Sequence, residues 1–136
     1  MTLATLELQR AVFAALAADT ALIAALGGPK IHDLTPVRTA YPYITFGPAS
    51  MHDWSTDSDD GSEHFFTLNV WSNAKKAKAE ALLLMERVDE VLHDAALALD
   101  GFRLVNLRRE AFEIRFDEDL GVHHGLMRFR AVIETD

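Results

Sequence analysis

The sequence predicts an α+β fold: a mostly antiparallel sheet of about four to five strands packed against a long helix and an N-terminal helical segment, in the order α-α-β-β-β-α-β-β. Three observations predict it. Residues 64–71 alternate, placing Phe66, Leu68 and Val70 on one face of a period-2 strand, with Thr67 and Asn69 on the other between Phe65 and Trp71. Residues 74–96 then repeat Ala77, Ala81, Leu84, Met85, Val88, Leu92 and Ala95 at spacings of three and four, with Lys76, Glu80, Arg87, Glu90 and Asp94 mostly on other faces of a helix. Two further alternating segments, 102–116 and 126–134, close the chain as an antiparallel hairpin.

The other elements follow in order. Residues 5–18 read as a first helix with Leu6, Val12, Phe13 and Leu16 toward the core. Asp19 and Thr20 cap a short second helix at 21–26, which Gly27-Gly28-Pro29 terminates. These glycines do not begin a phosphate loop, because neither Gly-Lys-Ser nor Gly-x-Gly-x-x-Gly follows. Residues 30–34 suit a short strand and 35–40 a loop around Pro36. A strand at 43–46 lies between Pro42 and Pro48, since proline donates no ladder bond, and its resumption at 49–54 after a break at Gly47-Pro48 stays open. The segment 53–63, with Asp53, Trp54, Asp57, Asp59 and Asp60, is polar and acidic and reads as an exposed, mobile loop. It is not a calcium loop: with Gly61 aligned to the loop glycine of an EF-hand, Ser58 and Thr56 fall on ligand positions and Thr67 replaces the closing glutamate. Ser72 or Asn73 supplies a cap for the long helix. In the final hairpin, Val105 and Leu107 are odd-numbered, whereas Phe112, Ile114 and Phe116 are even. The chain therefore changes face through a bulge near residues 108–111.

A length of 136 residues fits one domain, residues 1–136, able to bury about 68–70% of its unfolded surface. The apolar runs fall short of the ~20 residues of a membrane span, and the N-terminus lacks the basic and apolar regions of a secretory signal. With no cysteine, disulfides, thiol nucleophiles and cysteine metal sites are excluded, which fits a cytoplasmic chain. A net charge of -8 argues against a surface built to grip nucleic-acid phosphates.

No compact catalytic constellation is present. The six histidines form no His-Glu-x-x-His arrangement, no serine lies in a Gly-x-Ser-x-Gly elbow, and the carboxylates cluster in an exposed loop rather than converging. No catalytic, cofactor-binding or metal residues are assigned. The hairpin instead carries Arg108, Arg109, Arg115, Arg128 and Arg130 at outward positions among carboxylates. Such a face is either the ordinary soluble side of an antiparallel sheet or a surface for a complementary subunit, where Arg is favoured over Lys.

Several phrases then resemble a known family: residues 22–28 leading into Ile31-His32-Asp33, Pro42-Tyr43-Ile44 with Phe46-Gly47, Leu68-Asn69-Val70-Trp71-Ser72 before the long helix, an arginine-bearing strand, and the closing hairpin at 125–134. Over residues 6–133 the chain resembles the tail-completion, or tail-terminator, proteins of long-tailed bacteriophages and related gene-transfer particles. The resemblance implies a small structural protein, without catalytic residues or cofactor, that forms a ring, typically of six copies, on the tail tube. It implies a location in the virion tail at the head-tail interface after assembly in the bacterial cytoplasm, with the tail-tube and head-connector proteins as partners. DNA would be only a passing cargo, which an acidic ring does not hold. The source could equally be a phage, a prophage or a gene-transfer particle. The alternative is a small enzyme or ligand-binding domain with a site between sheet and helix, using His64, His32 or Asp33; it requires an enclosed pocket with convergent polar groups. A nucleic-acid binder would need salt-sensitive DNA binding through the arginine face. If the acidic loop is an assembly contact, deleting residues 55–62 leaves a folded chain that fails to complete particles; unchanged tail length and titre would reject that role.

Overall fold

The computed structural model describes residues 3–33, 38–58, 60–73 and 77–135. Among them, helices α1 (Ala4–Ala18) and α2 (Thr20–Leu26) precede strands β1 (Ile31–His32), β2 (Tyr43–Asp53) and β3 (Gly61–Ser72). Helix α3 (Ala77–Leu92) and strands β4 (Phe102–Asp117) and β5 (Val122–Thr135) follow. The sheet order is β1-β2-β3-β5-β4, with β1 parallel to β2 and every other pairing antiparallel. The α+β class and the order of elements are as expected.

Strand β3 is central, third of the five, with β2 on one edge and β5 on the other. It meets β5 from Gly61↔Glu134 to Ser72↔His123 without a register shift. Its even-numbered residues, His64, Phe66, Leu68, Val70 and Ser72, are buried on the side covered by the helices, and the odd-numbered ones are half-buried on the helix-free side. Leu84, Met85, Val88 and Leu92 of α3 join them in one core cluster, together with Leu8, Val12 and Leu16 of α1 and Leu22 and Leu26 of α2. Phe66 and Phe129 stack beneath the helices, 5.3 Å between centroids.

Local chemistry sets the helix ends. Asp19 is the N-cap of α2, accepting from Leu22 N–H at 3.0 Å, and the same carboxylate receives Arg87 of α3 at 2.6 and 2.7 Å. That pairing holds the Asp19 carboxyl below its usual pKa. Gly27 ends α2 in the left-handed region at φ 77°, where glycine carries no Cβ penalty. Buried Glu7 ties α1 to the turn before β4, its carboxylate accepting from Asp100 N–H at 3.3 Å and pairing with Arg10.

Several boundaries differ from the sequence reading. In α1 the inward stripe is Leu8-Val12-Leu16, while Leu6 and Phe13 are exposed. Helix α3 stops at Leu92 rather than at 96: Asp94 adopts φ 59°, its N–H donates to Leu107 O at 2.8 Å, and His93 Nδ1 accepts from Arg109 N–H at 3.0 Å. The turn after α3 thus covers part of the outer edge of β4 and draws the chain away from the helix axis. The expected break at Gly47-Pro48 is a register shift between Phe46 and Ala49 inside one strand, closed by Thr67 Oγ1 donating to Pro48 O. Gly61, Ser62 and Glu63 belong to the ladder, so the connection between β2 and β3 is shorter than residues 53–63. Strand β5 begins at Val122 rather than at 126. The bulge near residues 108–111 is present between Arg109 and Ala111, and a second shift between Leu104 and Asn106 leaves Val105 exposed. Phe112 and Phe116 lie opposite helix-side residues of β5 but remain exposed. The expected loop at 35–40 and the cap of α3 fall largely outside the described residues; Ser72 Oγ instead donates to Glu80.

Gly125 shows how closely α3 sits on the sheet, since a Cβ there would lie 2.3 Å from Met85 Sδ. Gly125→Ala is therefore expected to lower the urea midpoint, by about 1–3 kcal/mol in stability. Adding Met85→Ala should cost less in this background than in the wild type, as a double-mutant cycle would measure. Equal costs in both backgrounds would show that the two residues do not press on each other.

Candidate assembly surfaces

Among the described residues the helices pack on one side of the sheet, and its other side is a mixed surface without a helix. Register decides what meets there. Arg130 stands opposite Phe65 in the β3–β5 ladder, pairs with Glu63 at 2.6 Å, and lies 5.7 Å from the Trp54 ring centroid. Arg128 lies 4.4 Å from the Phe65 centroid and 3.6 Å from Glu110, the residue displaced by the β4 bulge. Arg115 stands opposite His124 and 3.8 Å from Glu113. Arg108 stands opposite Arg130 and reaches Asp94 at 3.8 Å. These arginines share the helix-free face, each with a carboxylate within ion-pair range.

Arg109 does not belong to that group. It stands opposite buried Phe129, turns to Asp89 of α3 at 3.1 Å, and lies 5.6 Å from the Phe112 centroid. The bulge after it breaks the simple alternation that had placed it outward.

The acidic connection is exposed, as expected, but its base is hydrogen-bonded. Asp53 Oδ1 accepts from Ser55 N–H at 3.1 Å and lies 2.7 Å from Ser55 Oγ, bonds that hold its carboxyl below the usual range. Trp54 N–H donates to Gly61 O, and Thr135 N–H to Asp60 O. Trp54, Asp57 and Asp60 are exposed, and Asp59 lies outside the described residues. The connection is thereby brought beside the arginine face through Trp54 and Arg130. Gly61 and Ser62 are ladder residues, so deleting 55–62 would also cut into β3.

An aromatic row on the same face was not read from the sequence. Tyr41 stacks on Tyr43 at 5.2 Å, Tyr43 on Trp71 at 6.4 Å, and Trp71 on His124 at 4.0 Å with the rings 6° from parallel. His124 Nε2 lies 2.6 Å from Asn69 Oδ1, and Trp71 Nε1–H donates to Thr45 Oγ1 at 3.1 Å. The row crosses β2, β3 and β5, and the strand register brings Tyr43, Trp71 and His124 together.

The expected alternative of a pocket between sheet and helix finds little room. His64 is buried beneath α1, with Ser62 Oγ 2.7 Å from Nε2 and Thr5 Oγ1 3.5 Å from Nδ1. The cavity beside it measures about 20 Å³, enough for about one water molecule. His32 and Asp33 lie at β1, two strands away from His64. Larger clefts of 250 and 190 Å³ are open to solvent at the sheet surface. Among the described residues no three His, Asp or Glu side chains gather as a metal site, and no single helix is long and apolar enough to cross a membrane.

A family model described as tail completion protein gp17 matches residues 10–134. The chain belongs to this family. Tail completion protein gp17 of Bacillus phage SPP1 is 27% identical over 96 residues, which span 71% of this chain and 70% of the relative. A chain in the virion of a native gene transfer agent (GTA) particle superposes with a TM-score of 0.88 at 31% identity, covering 98% of this chain and 99% of that one. As a tail completion protein the chain is a structural component of the virion tail and not an enzyme.

His64 then has a structural part in a tail protein. Burial holds its pKa below the ordinary 6.5, so the folded chain favours the neutral ring. As pH falls below about 6.5 the unfolded chain takes up this proton first, and stability present above that pH is lost. His124 acts with the same sign, burial being the larger cause and Arg115 the next. The urea midpoint is expected to fall between about pH 7 and 5, less steeply in His64→Gln. A His64→Gln midpoint that tracks the wild type throughout would remove His64 from this account.

Proposed function

We propose that this protein caps the tail tube as a ring, of six copies, that ends tube polymerisation and forms the surface joining the tail to the head connector. The match over 98% of the chain to a component of a gene-transfer virion is the observation that carries this reading. The protein assembles in the bacterial cytoplasm, on a tail-tube partner below and a connector partner above. Its arginine face, matched by Glu63, Glu110 and Glu113, and an overall charge of -8 suit a ring through which DNA passes without being held.

The contacts with tube, connector or neighbouring copy fall, in this reading, on Asp53, Trp54, Asp57, Asp59 and Asp60 and on Arg108, Arg115, Arg128 and Arg130. Arg109 supports them from the helix side. Trp54 and Arg130 make the loop and the hairpin one surface.

Two experiments test this. In a producing strain lacking the gene, negative-stain electron microscopy is expected to show overlong tails separated from heads; normal joined particles would reject the capping role. Replacing residues 56–59 with two glycines spares both ladder strands, and is expected to preserve the circular dichroism spectrum while lowering the yield of joined particles about tenfold or more. Wild-type yield would take the loop out of the contact surface.

A further inference from the structure

The sheet ends in two unlike edges, and their exposed side chains complement each other. On the β4 side, the outer edge is covered at Leu107 and Arg109 by the Asp94 and His93 bonds. Farther along, the segment 111–117 pairs only with β5 among the described residues. Phe112 and Phe116 lie there at 40% and 52% exposure, on the side where α3 covers the rest of the sheet. The turn that follows carries Asp117, Glu118 and Asp119, none of which has an ion-pair partner among the described residues.

The opposite edge carries β1 and the residues around it. Lys30 and Arg38 meet no carboxylate among the described residues; Lys30 Nζ donates to Ala40 O. Asp33 is the single exposed acid beside them. Helix α2, which leads into β1 through residues 27–30, carries exposed alanines at positions 21, 24 and 25.

The two edges also lie at the same height. Hydrogen bonds in an antiparallel ladder run perpendicular to the strands, so registered residues mark one level across the sheet. Phe116 is level with His123 and Ser72, and Ile114 with Gly125, Val70 and Ile44, which is the residue paired to Ile31. With the strands running along the ring axis, copies related by rotation without rise present their contacts at one level. These edges do so with opposite charge and with aromatic against small side chains. A ring needs this kind of heterologous contact, one patch against a different patch.

We propose that the occupant of the β4 edge is a second copy of this chain: Phe112 and Phe116 pack against α2 of the neighbour, and the Asp117–Asp119 turn meets its Lys30 and Arg38. The inference rests on the ring reading and specifies its subunit contact.

Charge exchange tests it in assembling particles. Lys30→Glu with Arg38→Glu, or Glu118→Lys with Asp119→Lys, is expected to lower the yield of joined particles about tenfold or more, because like charges then face each other. Carrying all four changes should restore the yield, which a folding defect would not. The chain has no cysteine, so Arg38→Cys with Glu118→Cys gives a clean second readout: a short bis-maleimide should produce a ladder of linked copies on purified particles, and neither single variant should. Particles that contain the protein and complete normally with one side reversed, or that yield no ladder, would overturn this contact and leave the ring standing. Linked dimers from Glu118→Cys alone would overturn it in favour of a symmetric contact. Tails carrying single, unassociated copies would overturn the ring reading itself.

Discussion

The fold depends on the register between β3 and β5. Because side chains alternate across a strand, a slip of one residue would turn Phe66, Leu68 and Val70 to solvent and push Phe65, Asn69 and Trp71 under the helices. The continuous ladder from Gly61 to Ser72 fixes both faces at once. On one side it seats α1 and α3 over Phe66 and Phe129. On the other it sets Arg130 beside Glu63, Arg128 over Phe65 and His124 against Trp71.

The helix-free side therefore has an order of its own, although no helix covers it. Exposed ion pairs contribute only about 0–1 kcal/mol each, so Arg108, Arg115 and Arg128 do little for stability. Their effect is on charge: among the described residues, each arginine on this face has a carboxylate within ion-pair range. Such a face is poorly suited to holding nucleic-acid phosphates, which clustered unpaired Lys and Arg would do.

What was legible in the sequence was whatever periodicity or local capping controls. The alternation of β3 and β5, the Asp19 cap, the Gly27 stop and the face change near residues 108–111 could all be read from residue order. The phase of α1 could not, because Leu6 and Phe13 make as good a helical stripe as Leu8, Val12 and Leu16 until α3 and β2 are in place. The end of α3 was hidden for a similar reason: alanines at 95 and 96 continue the helical pattern, and only bonds to β4 turn Asp94 away from it. In the row Tyr41-Tyr43-Trp71-His124, the links from Tyr43 to Trp71 and from Trp71 to His124 join residues far apart in sequence and are products of register. Arg109 was misplaced because the bulge that reverses the face lies directly after it.

The edge of β4 brings these threads together. Open sheet edges invite uncontrolled pairing, and proteins usually cover them, shorten them or charge them. Here the turn after α3 covers one part, while the part bearing Phe112 and Phe116 is left open. Fully burying a phenylalanine contributes about 1.5–3 kcal/mol, and these two are already partly buried. Their gain, with exposed ion pairs added, reaches at most the low end of the ~4–15 kcal/mol that association costs in lost freedom. A single contact of this kind is thus weak, and a free chain has reason to stay apart. In the proposed ring each copy would make the contact twice, and copies gathered on a tube end would form the second contact at high effective concentration. In the proposed ring, weak edges of this type favour assembly where copies are already gathered over assembly free in solution.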